Sequence, residues 1–502
     1  MSDLAIVYSR AQNGIDAPLV RVEVHLSNGL PGLSIVGLPE TAVKESKDRV
    51  RAAILNSNLD FPQRRITINL SPADLPKEGG RFDLPIAIGI LAASKQVSSD
   101  RLTETEFVGE LSLSGNLHPI KGVLPVAIKA AKCNRVLVIP KNNGSEAALI
   151  TKGISKTAKN LLNVCAWLNQ MEKLPNAKSQ LSSKINTLAD LSEVKGQVQA
   201  KRALEISAAG NHNLLFIGPP GTGKTMLASR LPGIMPPLTE KQALETAAVA
   251  SISGAGFDIN QWFVPPMRSP HHTSSAVALV GGGSHPKPGE ISLAHEGILF
   301  LDELPEFSRH VLEVLREPME SGKVTISRAA RQADFPARFQ LIAAMNPCPC
   351  GYLGDKEREC ICSQSQIDRY KAKISGPLLD RIDMHVEVSR IPYKELRANH
   401  KKIESSLHIQ KRVCLARNIQ LKRNNGKANA QLNTLEMDQL LDISEKNLIL
   451  LEKIVSQLKL SARAYHRVLK IARTIADLDY SQSIIQNHIL EALSYRCLDR
   501  SR

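Results

Sequence analysis

A glycine-rich stretch that ends in lysine and threonine has the residue types and spacing that bind a nucleoside triphosphate. Residues 218–225 read G-P-P-G-T-G-K-T and match the phosphate-loop pattern G-x-x-x-x-G-K-[ST] at every fixed position. The backbone N–H groups face the phosphates, Lys224 reaches the β- and γ-phosphates, and the Thr225 hydroxyl takes Mg²⁺. The residues predicted to bind the nucleotide are Gly218, Pro219, Pro220, Gly221, Thr222, Gly223, Lys224 and Thr225. The alternative is a glycine-rich turn that binds no nucleotide.

Three apolar runs predict buried strands that bring other polar groups to this loop. The runs are residues 214–217 before the loop, 297–301 before Asp302 and Glu303, and 339–345 before Asn346. Asp302 is predicted to hold the Mg²⁺ shell and Glu303 to polarise the attacking water. Asn346 is a neutral group suited to orienting that water. The N-K-x-D signal of switch-type GTPases is absent, which favours ATP over GTP.

These strands and their polar ends resemble the core of an AAA+ ATPase, and further motifs narrow the resemblance. P-H-H-T at 270–273, A-L-V-G-G-G at 278–283 and the stretch 297–306 are similar to the magnesium-chelatase-related branch. N-P-C-P-C-G at 346–351 and S-G-P-L-L-D-R-I-D at 375–383 resemble the ComM/YifB family, and the likeness covers nearly the whole chain. It implies an ATP-driven hexameric ring, a DNA helicase that promotes branch migration of recombination intermediates in natural transformation.

The resemblance also assigns roles to arginines outside the phosphate loop. Arg381 matches the arginine finger, which a neighbouring subunit presents to the γ-phosphate; the alternative is an ion pair with Asp380 or Asp383 of its own chain. Arg463 matches the lid arginine called sensor 2, with Arg467, one helical turn later, as its competitor. Residues 190–197 resemble the segment that lines the adenine pocket.

Four of the eight cysteines lie within fifteen residues, in the pattern C-x-C-x₉-C-x-C. Thiolates are soft ligands that hold structural Zn²⁺ in tetrahedral sites. Cys348, Cys350, Cys360 and Cys362 are therefore predicted to bind one Zn²⁺, with free thiols in a loop as the alternative. The wider C-x₂-C spacing of common zinc knuckles is not present here.

Residues 323–328 and 335–339, with a polar turn over 329–334, predict a β-hairpin before the Asn346 strand. In related ring ATPases this hairpin projects into the central pore. Arg328 and Arg331, near its tip, are predicted to contact DNA phosphates, which carry charge but no sequence information. For His271 and His272 in the other insertion, a metal pair remains open beside hydrogen-bonding or DNA-facing roles.

The first 170 residues mix strands and helices and resemble the proteolytic domain of Lon, an S5-like α+β fold. Motifs at 109–111, 119–122 and 138–141 carry the likeness. The likeness does not extend to the catalytic residues. Arg81 occupies the position of the nucleophilic serine, and Leu124 occupies that of the catalytic lysine. A protease-inactive scaffold is therefore expected. Lys77 and Arg81 are either a DNA-facing pair or ordinary solvated charges.

The chain's charge favours a polyanionic partner. The net charge of +15 lets Lys and Arg displace the counterions of DNA, although charge alone does not separate DNA from RNA or an anionic membrane. Eleven Lys and Arg residues against two acids lie between 390 and 427, a run usually explained as a solvated helix. No apolar run is long enough to span a bilayer, so a cytoplasmic protein without a membrane partner is expected. Any DNA contact should be backbone-dominated, on single-stranded or branched DNA.

Together these patterns predict a multidomain α/β chain. The expected parts are a Lon-like N-terminal domain at 1–170, a linker at 171–188, an AAA+ core at 189–390 and a C-terminal helical lid at 391–502. The leading function is an ATP-hydrolysing DNA motor. The alternatives are a chelatase-type ATPase that drives metal insertion into a porphyrin, and an ATPase that remodels proteins without proteolysis.

Overall fold

The structure is a computed structural model that describes residues 3–37, 41–75, 77–151, 153–178, 188–254, 258–283, 286–328, 331–355, 357–391, 404–458, 460–496 and 498. The chain forms two compact units. The first comprises Met1–Ile185 with Ala247–Gln261, and the second comprises Asn186–Thr246 with Trp262–Arg502. The first unit therefore includes a short segment from the middle of the sequence. None of the helices in the described ranges is long and apolar enough to cross a membrane.

The first unit contains a seven-stranded mixed sheet in the order β3-β4-β2-β1-β5-β8-β9. Alternating buried valines in β2 and isoleucines in β4 face the core, as period-two patterning predicts. Strands β6 and β7 form a separate two-stranded hairpin. The strand bounds of this unit are β1 Leu4–Arg10, β2 Leu19–Ser27, β3 Gly32–Val36, β4 Arg65–Ser71, β5 Thr105–Phe107, β6 Glu110–Leu111, β7 Leu117–His118, β8 Val136–Pro140 and β9 Ser155–Ala158.

A fully buried helix, α2, packs against strands β1 and β2. Its residues are buried all round, so it shows no amphipathic stripe. Gly89 allows the closest approach, since a Cβ there would lie 2.5 Å from Cγ2 of Val24. The helices of this unit are α1 Thr41–Asn56, α2 Asp83–Ala93, α3 Val123–Lys132, α4 Gly144–Ala147 and α5 Leu161–Leu168, with 3₁₀ turns at Gly80–Phe82, Leu102–Glu104, Lys141–Asn143 and Ile259–Gln261.

Residues 107–111 form parts of two strands. The chain leaves the main sheet after Phe107, and Glu110–Leu111 pairs with Leu117–His118 instead. Gly109 lies between them, where a Cβ would meet Cδ2 of Leu117 at 2.9 Å. The close packing of this turn, which a local pattern does not record, divides the strand.

The second unit contains a five-stranded parallel sheet in the order β11-β14-β17-β10-β18. The central strands consist of buried apolar residues, as expected for a parallel sheet covered on both faces. Two small hairpins, β12–β13 and β15–β16, lie outside it. The strand bounds are β10 Leu214–Ile217, β11 Met267–Arg268, β12 Gly281–Gly282, β13 Lys287–Pro288, β14 Ile298–Leu301, β15 Lys323–Arg328, β16 Arg331–Pro336, β17 Gln340–Met345 and β18 Met384–Glu387.

Helices cover this sheet and then form a C-terminal helical bundle around the long helix α18. α18 packs against α6, α15 and α19, and its inward residues belong to the same apolar cluster as β10. The helices are α6 Val198–Gly210, α7 Lys224–Ser229, α8 Glu240–Ser253, α9 Ala276–Val280, α10 Glu290–Leu293, α11 Arg309–Glu313, α12 Arg316–Ser321, α13 Gln364–Ala372, α14 Gly376–Leu379, α15 Ser406–Arg423, α16 Thr434–Leu440, α17 Glu445–Gln457, α18 Ala462–Leu478 and α19 Gln486–Ser494; 3₁₀ turns lie at Leu191–Glu193, Leu231–Gly233, Leu304–Glu306 and Asn429–Gln431. The whole is a multidomain α/β fold.

Candidate nucleotide site

The phosphate loop joins β10 to α7, and its shape depends on glycine. Gly221 and Gly223 have φ values of +77° and +87°, which residues with a side chain rarely adopt. Gly218 lies so close to strand β18 that a Cβ there would be 2.1 Å from the carbonyl oxygen of Val388. The Thr222 hydroxyl donates to the carbonyl oxygen of Pro219 at 3.0 Å and closes the loop.

Lys224 lies inside this loop and is buried. Its ammonium group donates to the carbonyl oxygens of Gly218 at 2.7 Å and Pro219 at 2.9 Å, and to Oδ1 of Asn346 at 3.2 Å. Burial lowers the pKa of Lys224, while the charges of Asp302 and Glu303 oppose that shift. The ammonium is therefore held by neutral oxygens, and its charge is available to a phosphate group.

A hydroxyl and a carboxylate meet where a magnesium ion would bind. The Thr225 hydroxyl donates to Oδ2 of Asp302 at 2.6 Å, across the ends of α7 and β14. Oxygen ligands of these kinds suit Mg²⁺, which also keeps water and phosphate oxygens in its shell. The donor set therefore fits the ion that the sequence predicts.

The next residue, Glu303, occupies an unusual backbone conformation. Its φ and ψ are 52° and 47°, in the left-handed region, and its N–H donates to Oδ1 of Asp302 at 2.9 Å. Strained backbone of this kind is common at functional sites. Oε2 of its carboxylate lies 3.3 Å from Nδ1 of His272, in the insertion that follows β11. The structure thus places His272 beside the Glu303 carboxylate at this site.

Parallel pairing brings these groups together. Ile217 of β10 pairs with Met345 of β17, and Leu301 of β14 pairs with Ala343, so three carboxyl ends share one edge of the sheet. This edge is where open α/β sheets bind their ligands. Lys224, Thr225, Asp302 and Asn346 meet there.

The segment that resembles an adenine pocket also reaches the phosphate loop. Nε2 of Gln197 donates to the carbonyl oxygen of Ser389 at 2.7 Å and lies 3.4 Å from that of Thr222. Asp190 accepts the backbone N–H of Ser406 at 3.1 Å, at the start of α15. Residues 190–197 therefore connect the phosphate loop to the helical bundle.

Arg381 lies away from the Lys224 group in its own chain. Its guanidinium forms an ion pair with Glu320 of α12 and donates to the carbonyl oxygen of Pro377 at 2.7 Å. The side chain is 13% exposed. The expected intramolecular alternatives were Asp380 and Asp383, but the partner is an acid from a distant part of the sequence.

The two lid arginines have different environments. Arg463 is 69% exposed and lies 3.7 Å from Oδ2 of Asp380. Arg467 forms an ion pair with Asp383, which is buried. Burial raises the pKa of Asp383, but the opposing charge of Arg467 and the contact with His212 outweigh it and hold that pKa below its usual range.

Asp383 has a structural role that was not predicted from the sequence. Its Oδ2 also accepts the backbone N–H of Asn213 at 2.9 Å, just before β10. Asp383 therefore connects the start of β10 to helix α18. The sequence signal for this role of Asp383 is the D-R-I-D motif at 380–383, together with the arginines of α18.

The four clustered cysteines lie together in three dimensions. Sγ of Cys348 is 3.4 Å from Sγ of Cys350 and 3.6 Å from Sγ of Cys360, and Cys350 and Cys360 are also 3.6 Å apart. Cys362 completes a group whose sulfurs lie within 4.8 Å of one another. With zinc–sulfur bonds of about 2.3 Å, tetrahedral geometry requires sulfurs about 3.8 Å apart. These distances are close to that requirement, so the thiols fit a zinc ion.

The predicted hairpin is present, but its turn is shorter than expected. Strand β16 begins at Arg331, and Arg328 pairs with Arg331 across the ladder, so the residues expected in a polar turn lie largely within the strand. The Thr325 hydroxyl donates a 2.7 Å hydrogen bond to Oδ1 of Asp334, its partner on the opposite strand. Such cross-strand side-chain pairs stabilise the hairpin. The side chains of Arg328 and Arg331 lie outside the described part of the structure.

Lys77 and Arg81 are neither solvated nor presented to a ligand at the surface, so both readings of this pair are wrong. Both side chains are buried. Lys77 donates to the carbonyl oxygen of Pro72. Arg81 donates to Oε1 of Gln12 at 2.6 Å and to the carbonyl oxygen of Lys121 at 3.1 Å, and burial lowers its pKa to about 10. They support the fold of the first unit.

The basic run after residue 390 is also partly structural rather than solvated. Arg417 donates to the carbonyl oxygens of Ala208 and Ala209, both at 2.8 Å, and Arg423 pairs with Asp477 at 2.6 Å. Residues 392–403 of the run lie outside the described residues. Several of these cations therefore anchor α15 to its neighbours.

Three family models match the chain. Residues 190–396 match "Magnesium chelatase, subunit ChlI", residues 22–143 match "Subunit ChlI of Mg-chelatase", and residues 403–496 match "Magnesium chelatase, subunit ChlI C-terminal". The matched regions include the phosphate loop, the Asp302 strand and the helical bundle.

Similar proteins cover the whole length. The competence protein ComM of Haemophilus influenzae is 53% identical, with 99% of this chain and 98% of that protein aligned. The YifB proteins of Salmonella typhimurium and Escherichia coli, both described as uncharacterized, are each 50% identical over 99% of this chain and 98% of their own.

Proposed function

Because the chain belongs to the ComM/YifB family of magnesium-chelatase-related AAA+ ATPases, we propose that it is an ATP-driven ring motor that acts on DNA. The family and its ComM relative support a competence-related ATPase. The observation that carries the proposal is the meeting of Lys224, Thr225, Asp302 and Asn346 at one edge of the parallel sheet. This is the arrangement that phosphoryl transfer to water requires.

In this proposal each residue has a definite task. Residues 218–225 cradle the phosphates, and Lys224 leaves its carbonyl partners to neutralise the β- and γ-phosphates. Thr225 and Asp302 hold Mg²⁺, which supplies charge neutralisation as the γ-phosphate departs. Glu303 takes the proton of the attacking water, and Asn346 orients that water.

We propose that the ring, a hexamer, completes each site between two subunits. Arg381 contributes to the γ-phosphate of the neighbour, and Arg463 contacts the nucleotide of its own chain. The ion pair with Glu320 holds Arg381 within its own subunit until that contact forms. Residues 189–390 serve as the ATPase core, 391–502 as its lid, and 1–170 as a protease-inactive Lon-like domain joined by residues 171–188.

The proposed substrate is DNA, in single-stranded or branched form. The net charge of +15 and the hairpin that carries Arg328 and Arg331 support it, because both favour contacts with phosphates over contacts with bases. The name of the Haemophilus relative links it to competence. We therefore propose helicase or branch-migration activity on recombination intermediates in natural transformation.

A structural Zn²⁺ belongs to the same proposal. Cys348, Cys350, Cys360 and Cys362 have the donor chemistry and spacing for one ion. Gly351, inside this loop, packs so closely on the phosphate loop that a Cβ would lie 2.7 Å from Cδ of Pro220. The ion would hold the loop that supports Pro220 and follows Asn346.

The test measures ATP hydrolysis without DNA and with single-stranded, duplex and branched DNA. Wild-type protein should hydrolyse ATP faster with branched or single-stranded DNA, and Lys224→Ala should lose nucleotide binding and hydrolysis together. Equal nucleotide affinity of wild type and Lys224→Ala would contradict the site.

The family models keep a second candidate open, a chelatase-type motor for metal insertion into a porphyrin. Stimulation by the metal-binding partner of a porphyrin chelatase, with none by DNA, would favour that function. Stimulation by an unfolded protein would instead favour protein remodelling.

A further inference from the structure

The backbone that carries Arg381 is held by side chains from two other parts of the second unit. Nδ2 of Asn213 donates to the carbonyl oxygen of Arg381 at 2.9 Å. Nη1 of Arg496, two residues after α19, donates to the carbonyl oxygens of Ile382 at 2.9 Å and Asp383 at 3.1 Å. Three successive carbonyl groups of the D-R-I-D segment therefore have side-chain donors.

Asn213 joins this segment to the parallel sheet. It directly precedes β10, and its Oδ1 accepts the backbone N–H of Leu341 in β17 at 2.8 Å. Its backbone carbonyl oxygen accepts the N–H groups of Asp383 at 3.1 Å and Met384 at 3.0 Å. The orientation of the side-chain amide is fixed, because the N–H of Leu341 requires the amide oxygen and the carbonyl of Arg381 requires the amide NH₂. One side chain thus connects the beginnings of two strands to the backbone of Arg381.

The guanidinium and the backbone of Arg381 are held in different ways. The guanidinium pairs with Glu320, whose side chain is 65% exposed, and ion pairs of exposed groups contribute little free energy. The backbone is held by Asn213 and by Arg496, which is buried. When the guanidinium turns from Glu320 to a phosphate, its reach depends on where the Cα of Arg381 is fixed. The hydrogen bonds to the backbone therefore set the geometry of the contact.

We propose that Asn213 is a positioning residue for Arg381 and so acts on the ATP site of the neighbouring subunit. It does so although it lies beside the strand that leads to its own phosphate loop. The proposal rests on the role between subunits proposed above for Arg381. Catalysis depends on precise placement, and a misplacement of about 1 Å reduces a rate by up to about a hundredfold. Without the Asn213 amide, the carbonyl group of Arg381 loses its donor and the segment that carries the guanidinium is no longer fixed to the sheet there.

The test begins with kcat and KM for ATP hydrolysis by full-length Asn213→Ala. We expect kcat to fall about ten- to a hundredfold with KM within about twofold of wild type, because the residues that bind ATP stay in place. Asn213→Asp keeps the acceptor for Leu341 but, when ionised, has no donor for Arg381, so it should lower kcat in the same way. Asn418→Ala, on the exposed side of α15, is the matched control and should behave as wild type. Thermal unfolding checks that each variant is folded at the assay temperature, and an unchanged kcat in both Asn213 variants overturns the proposal.

Mixed rings then show which subunit's site Asn213 serves. Asn213→Ala mixed with Lys224→Ala should regain activity at about one interface in four, where an intact phosphate loop meets a well-placed Arg381. Asn213→Ala mixed with Arg381→Ala should regain none, because neither subunit supplies a well-placed arginine. The opposite pattern, with recovery only in the Arg381→Ala mixture, would show that Asn213 acts on its own phosphate loop and overturns the proposal.

The mixture of Lys224→Ala with Arg381→Ala separates this inference from the proposed function. If that mixture regains no activity, the site shared between subunits fails, and with it the action of Asn213 on a neighbour. The Asn213→Ala/Arg381→Ala double variant then decides whether Asn213 positions Arg381 within its own chain. A kcat equal to that of Arg381→Ala alone supports the positioning role, and a further fall by the factor seen in the single variant overturns it. Absence of ATP hydrolysis by the wild type overturns the proposed function and this inference together.

Discussion

Lys224 and Asp383 are both buried charges, and they are compensated in different ways. Lys224 donates to carbonyl oxygens and an amide, so its positive charge has no carboxylate within hydrogen-bonding distance among the described contacts. Asp383 is paired with Arg467 and accepts a backbone N–H. The charge of Lys224 therefore remains available to a ligand. The charge of Asp383 is already paired within the fold.

Arg467→Ala should therefore destabilise the protein, because it leaves Asp383 buried without its main partner. We expect a loss on the order of 3 kcal/mol in the free energy of unfolding. Arg463→Ala is the matched control: its side chain is 69% exposed, so stability should change by less than about 1 kcal/mol. Thermal unfolding of both variants checks this. Equal stability of the two would contradict the structural role of Arg467.

The same pair predicts a pH dependence. The pKa of Asp383 is lowered in the folded protein, so its contribution to stability is complete above the unfolded value of about 3.9. It is lost as the pH falls through the lower, folded value. The difference in melting temperature between wild type and Asp383→Asn, which cannot ionise at this position, should therefore be constant from neutral pH to about pH 4 and narrow only below that. Narrowing already near pH 6 would point to another group.

At the scale of elements, the β15–β16 hairpin and the cysteine loop each have a packed part and a part that is proposed to bind. The hairpin tip is proposed to bind DNA, and the four cysteines are proposed to bind zinc. The base of the hairpin is buried through Val324, Ile326 and Phe335, whereas its tip carries the arginines. The cysteine loop rests on Pro220 through Gly351. A change at the tip should therefore alter binding, and a change in the loop should alter the phosphate site.

Replacing both Arg328 and Arg331 with alanine should weaken DNA binding about equally across sequences. The slope of log affinity against log salt should fall by roughly one to two units, about 0.7–0.9 for each lost phosphate contact. ATP binding should persist, because Lys224 and Asp302 lie on other elements. Lower thermal stability with an unchanged slope would show that the hairpin has only a structural role.

The cysteine loop should contain about one zinc ion per chain, measured by elemental analysis. Cys360→Ser should reduce the metal content and, by loosening the support of Pro220, weaken ATP binding. Cys414→Ser is the control, since Cys414 lies outside the cluster and should leave zinc and ATP binding intact. Absence of metal from protein purified without chelators would favour free thiols.

At the scale of the whole molecule, each ATP site of the proposed ring needs residues from two neighbouring subunits. Arg381→Ala should bind ATP normally and hydrolyse it about 10³-fold more slowly, as for other transition-state arginines. Mixed with Lys224→Ala it should recover activity, because about one head-to-tail interface in four then carries both intact groups. The Lys224→Ala/Arg381→Ala double variant, mixed in the same way, is the control. No recovery in verified mixed rings would place Arg381 in cis.

Local patterns in the sequence were enough to predict several strands and the phosphate loop. Residues 214–217 were predicted as a strand and form β10, and the predicted strand over 339–345 corresponds to β17. These segments have a strong periodicity or a fixed motif, so neighbouring residues decide their structure. Where cross-strand pairing decided the outcome, as in the extent of β16, the local pattern was misleading.

The sequence by itself predicted which residues would carry the proposed chemistry, because Lys224, Asp302, Asn346 and the four cysteines are recognisable from type and spacing. Tertiary structure alone decided which charges face each other. Glu320 beside Arg381, Asp383 beside Arg467 and His272 beside Glu303 join residues far apart in the chain. The burial of Lys77 and Arg81 could not be predicted either, because nothing in the neighbouring sequence indicates that the fold encloses a charged side chain. Long-range packing sets these partners, and it depends on the sheet order and helix placement rather than on any short stretch of sequence.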